Sequence, residues 1–149
     1  MARPQKNRHV KNPPRFGQFK PLGIPSRQLD ELILSLDEYE ALRLADGEGY
    51  DQSQAADLMG ISRPTFTRLI ENARHKMAEF LEKGPLLTID GGAVHFLKDQ
   101  WWCRKCGHAF SGELVTHPGQ CPQCGSTDLH SLAERYGHGK CCRNLSDDF

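Results

Sequence analysis

The apolar residues in the middle of the chain recur at intervals of three and four residues, which is the spacing of helices with one buried face. A capping box with Asp37 as the cap and Glu40 three residues later predicts where the first helix begins. Asp51 opens a second cap signal, and Gly60 ends the helix that follows it. Ser62 caps a third helix, which has a proline in its first turn. We therefore predict three helices in this part of the chain.

The second and third predicted helices have the pattern of a helix-turn-helix. Ala56 is small enough to let the two helices approach closely, and Gly60 makes the turn between them. The exposed face of the third helix is polar and basic, as entry into a DNA groove requires. An ordinary three-helix bundle that binds nothing is the alternative. The expected core consists of Leu36, Leu42, Leu58, Ile61, Phe66 and Leu69.

The N-terminal part of the chain has a different character. Residues 1–27 contain five prolines, which exclude a long helix and predict an extended arm. Residues 1–29 hold seven Arg and Lys residues and no acid, which leaves twelve basic and nineteen acidic residues elsewhere. A basic arm on an otherwise acidic protein favours a polyanionic partner, although a solvated tail has the same composition. Four apolar residues predict that the second half of the arm lies against the next domain: Phe16, Phe19, Leu22 and Ile24.

The end of the third helix marks a change of structure. Gly84 and Pro85 break that helix and indicate a domain boundary. The stretch LLTIDGGAVHF, residues 86–96, then predicts a β-hairpin with its turn at residues 90–92. The acidic residues between 30 and 51, by contrast, have the positions of helix caps and solvated faces.

Two Cys-x-x-Cys pairs form the strongest chemical signal in the sequence. Cys103 and Cys106 are followed by Cys121 and Cys124 after fourteen residues, and a glycine follows the second cysteine of each pair. A tight turn around a metal needs a residue that tolerates positive φ at that place. The spacing fits one tetrahedral four-thiolate site, with metal–sulfur bonds of about 2.3 Å for zinc. Two disulfides or two chance pairs of buried thiols are the alternative.

The four thiolates can hold either zinc or iron. Zinc in a closed site is structural, and we favour it because a helix-turn-helix partner gives electron transfer no obvious purpose. Trp101 and Trp102 are expected to pack over the cysteine turns. Near the C-terminus, His138, Cys141 and Cys142 predict either two free thiols on a tail or a second metal or redox site.

Several classes of protein are not expected. No apolar run approaches the length of a membrane span and no signal-peptide core follows the N-terminus, so we expect a cytoplasmic location. In that reducing compartment the thiols favour a metal over disulfides. The sequence has no Gly-rich phosphate loop, nucleophile motif or recognisable pair of carboxylates, so we do not expect an enzyme.

Long stretches of the chain resemble known families. Residues 36–81 resemble the fourth region of bacterial sigma factors. Residues 1–90 resemble, more closely, an uncharacterised bacterial and archaeal family of predicted DNA-binding proteins, through MARPQKNRHV, FKPLGIP, LDEYEALRLAD and GISRPTFTRLIENAR. Members of that family often carry cysteines in the arm, where this chain has Asn7 and Val10, which argues against a metal site there. The cysteine region resembles generic zinc ribbons and the rubredoxin-like tail of rubrerythrins.

The resemblance implies sequence-specific binding of double-stranded DNA by the third helix. Residues just after its cap would face base edges, where Arg pairs with guanine and Thr can meet a thymine methyl group. Two cations further along the helix would meet phosphates, and the arm would follow a groove or the backbone. The implied DNA-contacting residues are Arg63, Thr65, Thr67, Arg68, Asn72, Arg74, Lys76, Arg3, Lys6 and Arg8.

The sequence thus predicts an α+β transcriptional regulator with two small domains and a structural four-Cys zinc site. A basic extended arm covers residues 1–27 and an all-α helix-turn-helix domain covers 28–84. A small β-rich, zinc ribbon-like domain covers 85–130, and a tail covers 131–149. RNA polymerase and a second copy of the chain are further candidate partners. The alternatives are a metal- or redox-responsive regulator that senses through the cysteines and a rubredoxin-like iron electron-transfer protein.

Overall fold

The computed structural model describes residues 8–10, 13–92, 94–95, 100–111 and 118–132. Within these residues the fold is α+β, as predicted, with three α-helices and three small sheets. None of the helices in the described part of the chain is long and apolar enough to cross a membrane.

Helix α1 spans Leu36–Leu42 and continues as a π-helical turn over Arg43–Gly47. Its cap lies two residues earlier than predicted. The Ser35 side chain accepts a hydrogen bond from the Glu38 backbone N–H, and the Glu38 carboxylate accepts one from the Ser35 backbone N–H. The sequence holds two candidate capping boxes that are two residues apart, Ser35 with Glu38 and Asp37 with Glu40. The prediction used the second, whereas the helix begins at the first. Asp37 therefore lies inside the helix and its side chain is free for a different contact.

Helices α2 and α3 begin and end where the sequence predicts. Helix α2 spans Gln52–Met59 and is capped by Asp51, which accepts a hydrogen bond from the backbone of the third helical residue. Gly60 ends it with φ of 69°, the left-handed conformation that glycine adopts without strain. Helix α3 spans Arg63–Lys83 and is capped by Ser62. We call α2, the turn and α3 the α2–α3 unit, residues 52–83.

The core between these helices confirms most of the predicted residues and corrects one. Phe66 and Leu69 are buried in it, but Leu58 is 52% exposed, and Met59 is fully buried in its place. Leu58 is two residues beyond the buried Ala56, which is about 200° around a helix, so it points away from α3. The cluster consists of Ala41, Leu44, Ala55, Ala56, Met59, Phe66, Leu69 and Ile70.

The adjacent residues Leu58 and Met59 test this packing. Met59→Ala should lower the free energy of unfolding by about 3 kcal/mol, because it leaves a cavity in a packed core. Leu58→Ala should cost less than about 1 kcal/mol, because half of the side chain is already in water. Urea denaturation of the two variants measures both values, and equal losses would contradict the observed orientation of α2.

The first three-stranded sheet replaces the predicted hairpin. Strands β2 (Gln18–Phe19) and β3 (Glu31–Leu34) flank β4 (Leu86–Ile89), with β2 antiparallel and β3 parallel to β4. The hairpin prediction is therefore wrong: β4 pairs on both edges with strands from before the helices, and not with β5 (Val94–His95). Strand β4 does bury alternate residues, since Leu87 and Ile89 both lie in the core.

Two further sheets complete the described fold. Strand β1 (Arg8–His9) pairs in parallel with β5. Strand β6 (Gln100–Cys103) lies between β7 (Ala109–Ser111) and β8 (Leu129–Ser131), antiparallel to both, and we call this the ribbon sheet. A β-rich unit after the helices is therefore present, as expected for a ribbon-like region.

One hydrophobic core crosses the predicted boundary at residue 84. Trp102 of the ribbon sheet and Leu132 just after it are both buried against residues of the helical part and the arm. Met77 and Phe80 of α3 pack against the same cluster. The helical part and the ribbon sheet therefore support one another. The cluster consists of Val10, Leu34, Leu36, Ala73, Leu87, Ile89, Val94, Trp102 and Leu132.

The arm lies against the rest of the protein, but through different side chains than predicted. Val10, Pro13 and Pro14 are buried, and β2 joins the sheet through its backbone. The four apolar residues expected to pack are instead exposed, because the arm is held by strand pairing and by its earlier half. These exposed residues are Phe16, Phe19, Leu22 and Ile24.

Candidate metal centre and nucleic-acid interface

The four cysteines of the two pairs converge on one point. The Sγ atoms of Cys103 and Cys124 are 3.6 Å apart, those of Cys106 and Cys121 are also 3.6 Å apart, and all four lie within 4.8 Å of one another. A disulfide needs about 2.05 Å. A tetrahedral zinc site with bonds of about 2.3 Å has sulfur–sulfur edges of about 3.8 Å, close to the observed separation. The four cysteines are therefore positioned to bind a metal ion.

The backbone forms the same turn around each pair. The N–H of Gly107 donates to the carbonyl of Cys103 at 2.8 Å, and the N–H of Gly125 donates to the carbonyl of Cys121 at 2.9 Å. Both glycines have positive φ, 77° and 72°, as their place after the second cysteine predicts. The local sequence thus sets the direction of all four thiols.

The thiols differ in how readily they ionise. Burial disfavours the thiolate of Cys121, but hydrogen bonds from the backbone N–H groups of Cys124 and Gln123 outweigh this and lower its pKa to about 7. The backbone at His108 favours the thiolate of Cys106, yet burial and the neighbouring thiols raise its pKa to about 12. Of these two thiols, Cys121 therefore ionises more readily, and a bound cation would favour the thiolate form at Cys106.

The two tryptophans have separate roles. Trp101 packs against the cluster formed by Cys103, Cys121 and Leu129, as predicted for a side chain over the cysteine turns. Trp102, on the opposite face of the strand, lies in the core shared with the helices, so its predicted place over the turns is wrong. His138, Cys141 and Cys142 lie outside the described residues.

The predicted DNA-contacting residues of the α2–α3 unit fall into two groups. Arg63, Arg68 and Asn72 are exposed on α3. Thr65 and Thr67 are half-buried: the first meets the capping Ser62 hydroxyl at 2.8 Å, and the second donates to the Gln52 side chain at 2.5 Å. The Thr65 hydroxyl therefore supports the cap of α3, and the Thr67 hydroxyl links α3 to the start of α2, roles that their position in the sequence did not suggest.

The two cations predicted to meet phosphates are already paired within the protein. Arg74 binds Asp46 at 2.8 Å, and this hydrogen bond holds the pKa of Asp46 below its ordinary value. Lys76 binds Glu38 at 2.6 Å. The charges of both cations are thus largely balanced by α1 and the turn that follows it.

Buried carboxylates are the feature that the sequence reading missed. Asp37, Glu38 and Glu40 were read as caps or solvated residues, but all three are buried. Each has a cationic partner, as burial of a charge requires: Arg8 for Asp37, Lys76 for Glu38, and Arg43 for Glu40. Only the Glu40–Arg43 pair, three residues apart on one helix, left a local signal in the sequence.

Arg3 and Lys6, which were predicted to contact DNA from the arm, lie outside the described residues.

Fold and site together define a small α+β protein with a four-cysteine site for a metal ion. The chain belongs to the family described as "Protein of unknown function DUF134", which matches residues 1–97. A UPF0251 protein of Moorella thermoacetica is 40% identical over 144 residues, covering 97% of this chain and 95% of the relative. A UPF0251 protein of Pelotomaculum thermopropionicum is 42% identical over 132 residues, covering 89% and 99%. No solved structure matches the chain.

Proposed function

We propose that this protein binds double-stranded DNA in a sequence-specific manner, with α3 as the recognition helix, and acts as a transcriptional regulator in the cytoplasm. One observation carries the proposal. Within the described residues, Arg63 and Arg68 form no ion pair, whereas Arg74 and Lys76 further along α3 do. The first turns of α3 thus keep two exposed cations available beside the turn at Gly60, which is where a recognition helix contacts base edges.

The position of Arg68 supports this assignment. It is two residues from each of the buried Phe66 and Ile70, so it points almost directly away from the core. An exposed guanidinium can form two hydrogen bonds with the edge of guanine. Asn72 lies one turn further along the same side of the helix, whereas Arg63 is the first residue of α3 and lies at the end next to the turn at Gly60. The proposed DNA-reading surface consists of the exposed residues Arg63, Arg68 and Asn72. Arg74 and Lys76 are not part of it, because their charges are already paired within the protein.

For the cysteine site we propose a structural zinc ion. Closed tetrahedral four-thiolate sites are typical of structural zinc and leave no open position for catalysis. The proposed activity is accordingly binding without a chemical reaction. Iron in the same site would make an electron carrier or a redox sensor. Interactions with RNA polymerase or with a second copy of the chain stay predictions from the sequence.

Arg68→Ala tests the reading surface. We expect affinity for the preferred sequence to fall by about 1–3 kcal/mol, and base preference to relax at one position, because a contact to a base edge is lost. The preferred sequence is first selected from random double-stranded DNA with the wild-type protein, and dissociation constants are then measured for it and for a scrambled duplex.

Arg74→Ala is the matched control, because it removes a cation of the same type from the same helix that is already paired with Asp46. It should change affinity by a smaller amount and equally for both duplexes. If Arg68→Ala also weakens both duplexes equally, α3 does not read bases. If the wild-type protein selects no sequence at all, the proposed function is wrong.

A further inference from the structure

We infer that a short piece of the arm couples the cysteine site to the α2–α3 unit, so that zinc binding controls the DNA-facing surface. This piece, the bridging segment, comprises residues 8–10 and 13–15 of the described chain. It contacts the turn between α2 and α3 at one end and the first cysteine turn at the other. The inference rests on the DNA-binding function proposed above and adds a regulatory input to it.

The first end of the bridging segment lies on the turn of the α2–α3 unit. A Cβ atom at Gly60 would be only 2.6 Å from Cδ2 of His9, so the imidazole lies directly over the turn that precedes α3. The neighbouring Arg8 forms an ion pair with the buried Asp37 in α1. These two contacts fix the start of the segment beside the proposed reading surface.

The middle of the bridging segment is held by strand pairing and by the shared core. Strand β1 pairs in parallel with β5, which aligns Arg8 with Val94. Val10 is buried in the same cluster as Val94 and Trp102. Since Trp102 directly precedes Cys103, the core contact of the segment is one residue from a metal ligand.

The second end of the bridging segment lies on the first cysteine turn. Nη2 of Arg15 donates a hydrogen bond of 2.7 Å to the carbonyl oxygen of Lys105, which lies between Cys103 and Cys106 in the chain. Cδ of Arg15 is also 3.6 Å from the Cβ position of Gly107, at the close of the same turn. Both contacts are made with the backbone of the turn that carries two of the four converging thiols.

The coupling follows from what holds each end. Without a metal, the first cysteine turn loses the ion that would hold it to the second pair, and the hydrogen bond from Arg15 to the Lys105 carbonyl weakens. Release there weakens the packing of Val10 in the cluster that it shares with Trp102 and, through β1, the contact of His9 with the turn before α3. Zinc should therefore raise DNA affinity, and DNA should raise zinc affinity by the same factor, because linkage between two binding sites is reciprocal. Couplings of this kind are typically on the order of 5- to 150-fold.

The test needs no DNA in its first stage. Hydrogen exchange of the full chain is measured with zinc bound and after chelation. We expect chelation to speed exchange in peptides covering residues 8–15 and 58–63 by at least several-fold, while residues 43–50, whose Leu44 lies in a cluster without any residue of the ribbon sheet, exchange as before. If only residues 100–111 respond, the bridging segment transmits nothing and the inference is wrong.

A variant then tests the segment with zinc still bound. Arg15→Ala removes the hydrogen bond to Lys105 but no metal ligand, so zinc affinity should stay within about threefold, below the usual range of coupling effects. Exchange in residues 8–15 should nevertheless rise towards the chelated level. Arg27→Ala, an exposed arginine of the same arm away from both sites, should leave that exchange unchanged. Equal exchange rates in residues 8–15 of the two variants would overturn the inference.

DNA affinity separates this inference from the proposed function. We expect the wild-type protein to bind its selected duplex more tightly with zinc than after chelation, and Arg15→Ala to reduce that difference. If the protein binds its selected duplex tightly and with the same affinity in the presence and absence of zinc, the coupling is wrong but the DNA-binding function is supported. Coupled exchange in a protein that selects no DNA would refute the DNA-binding function alone.

Discussion

Replacing Cys103 or Cys121 with serine is expected to abolish tight metal binding and to unfold the ribbon sheet. The loss of one thiolate opens the four-ligand site, and metal binding at such sites supplies on the order of 10 kcal/mol of folding free energy. Residues 100–132 are too few to form a sufficient core of their own. The helices should persist, because the cluster around Phe66 contains no residue of the ribbon sheet.

Metal content and spectroscopy check this expectation. Zinc tetrathiolate is colourless and iron tetrathiolate is red, so the absorption spectrum of the wild-type protein identifies the ion. Both variants should lose that ion, keep their helical circular dichroism and melt at a lower temperature, since Trp102 belongs to the core shared with the helices. Cys141→Ser serves as the control and should retain the metal. Loss of metal in that variant together with retention in Cys121→Ser would mean that the ligand set is wrong.

Asp37→Ala should lower the free energy of unfolding by about 3–5 kcal/mol, because it leaves the charge of Arg8 without its buried partner. The Asp37 side chain is only 3% exposed, and a Cβ atom at Gly92 would be 2.5 Å from its Oδ1 atom. It therefore connects α1, the arm and the segment leading to β5. Chemical denaturation of the zinc-loaded protein at pH 7 measures the loss.

Asp46→Ala is the matched control for this prediction. It also removes the acidic partner of an arginine, but Asp46 and Arg74 are both about half exposed, so the cost should stay below about 1 kcal/mol. Because Arg74 lowers the pKa of Asp46, this small contribution is present at pH 7 and is lost as pH falls through the folded-state pKa. Similar losses in the two variants would show that the pair of Asp37 and Arg8 is not buried.

Features encoded by neighbouring residues were predictable from the sequence. The caps at Asp51 and Ser62 and the stop at Gly60 each depend on a few adjacent positions. The same holds for the two cysteine turns, where the glycine after the second cysteine already indicates the backbone conformation. The convergence of the two pairs followed from their spacing and the geometry of metal ligands.

Features that depend on distant partners were not predictable. The partner of Asp37 is Arg8, 29 residues earlier, so nothing near Asp37 indicated that the helix would turn it inward. Strand β4 alternates like one arm of a hairpin, but its partners β2 and β3 lie on the far side of three helices. A strand with two possible neighbours is assigned by packing of the whole fold and not by its own pattern.

Strands β2 and β3 both pair with β4, so neither of them can pair until residues 86–89 have left the ribosome. Strand β1 can pair only later, after Val94 and His95 have also been made. The helices, whose contacts are local, can form while the chain is still being made, whereas the basic arm emerges before them and is fixed after them. During that interval the arm is open to nascent-chain factors and to polyanions, including the ribosomal RNA at the tunnel exit.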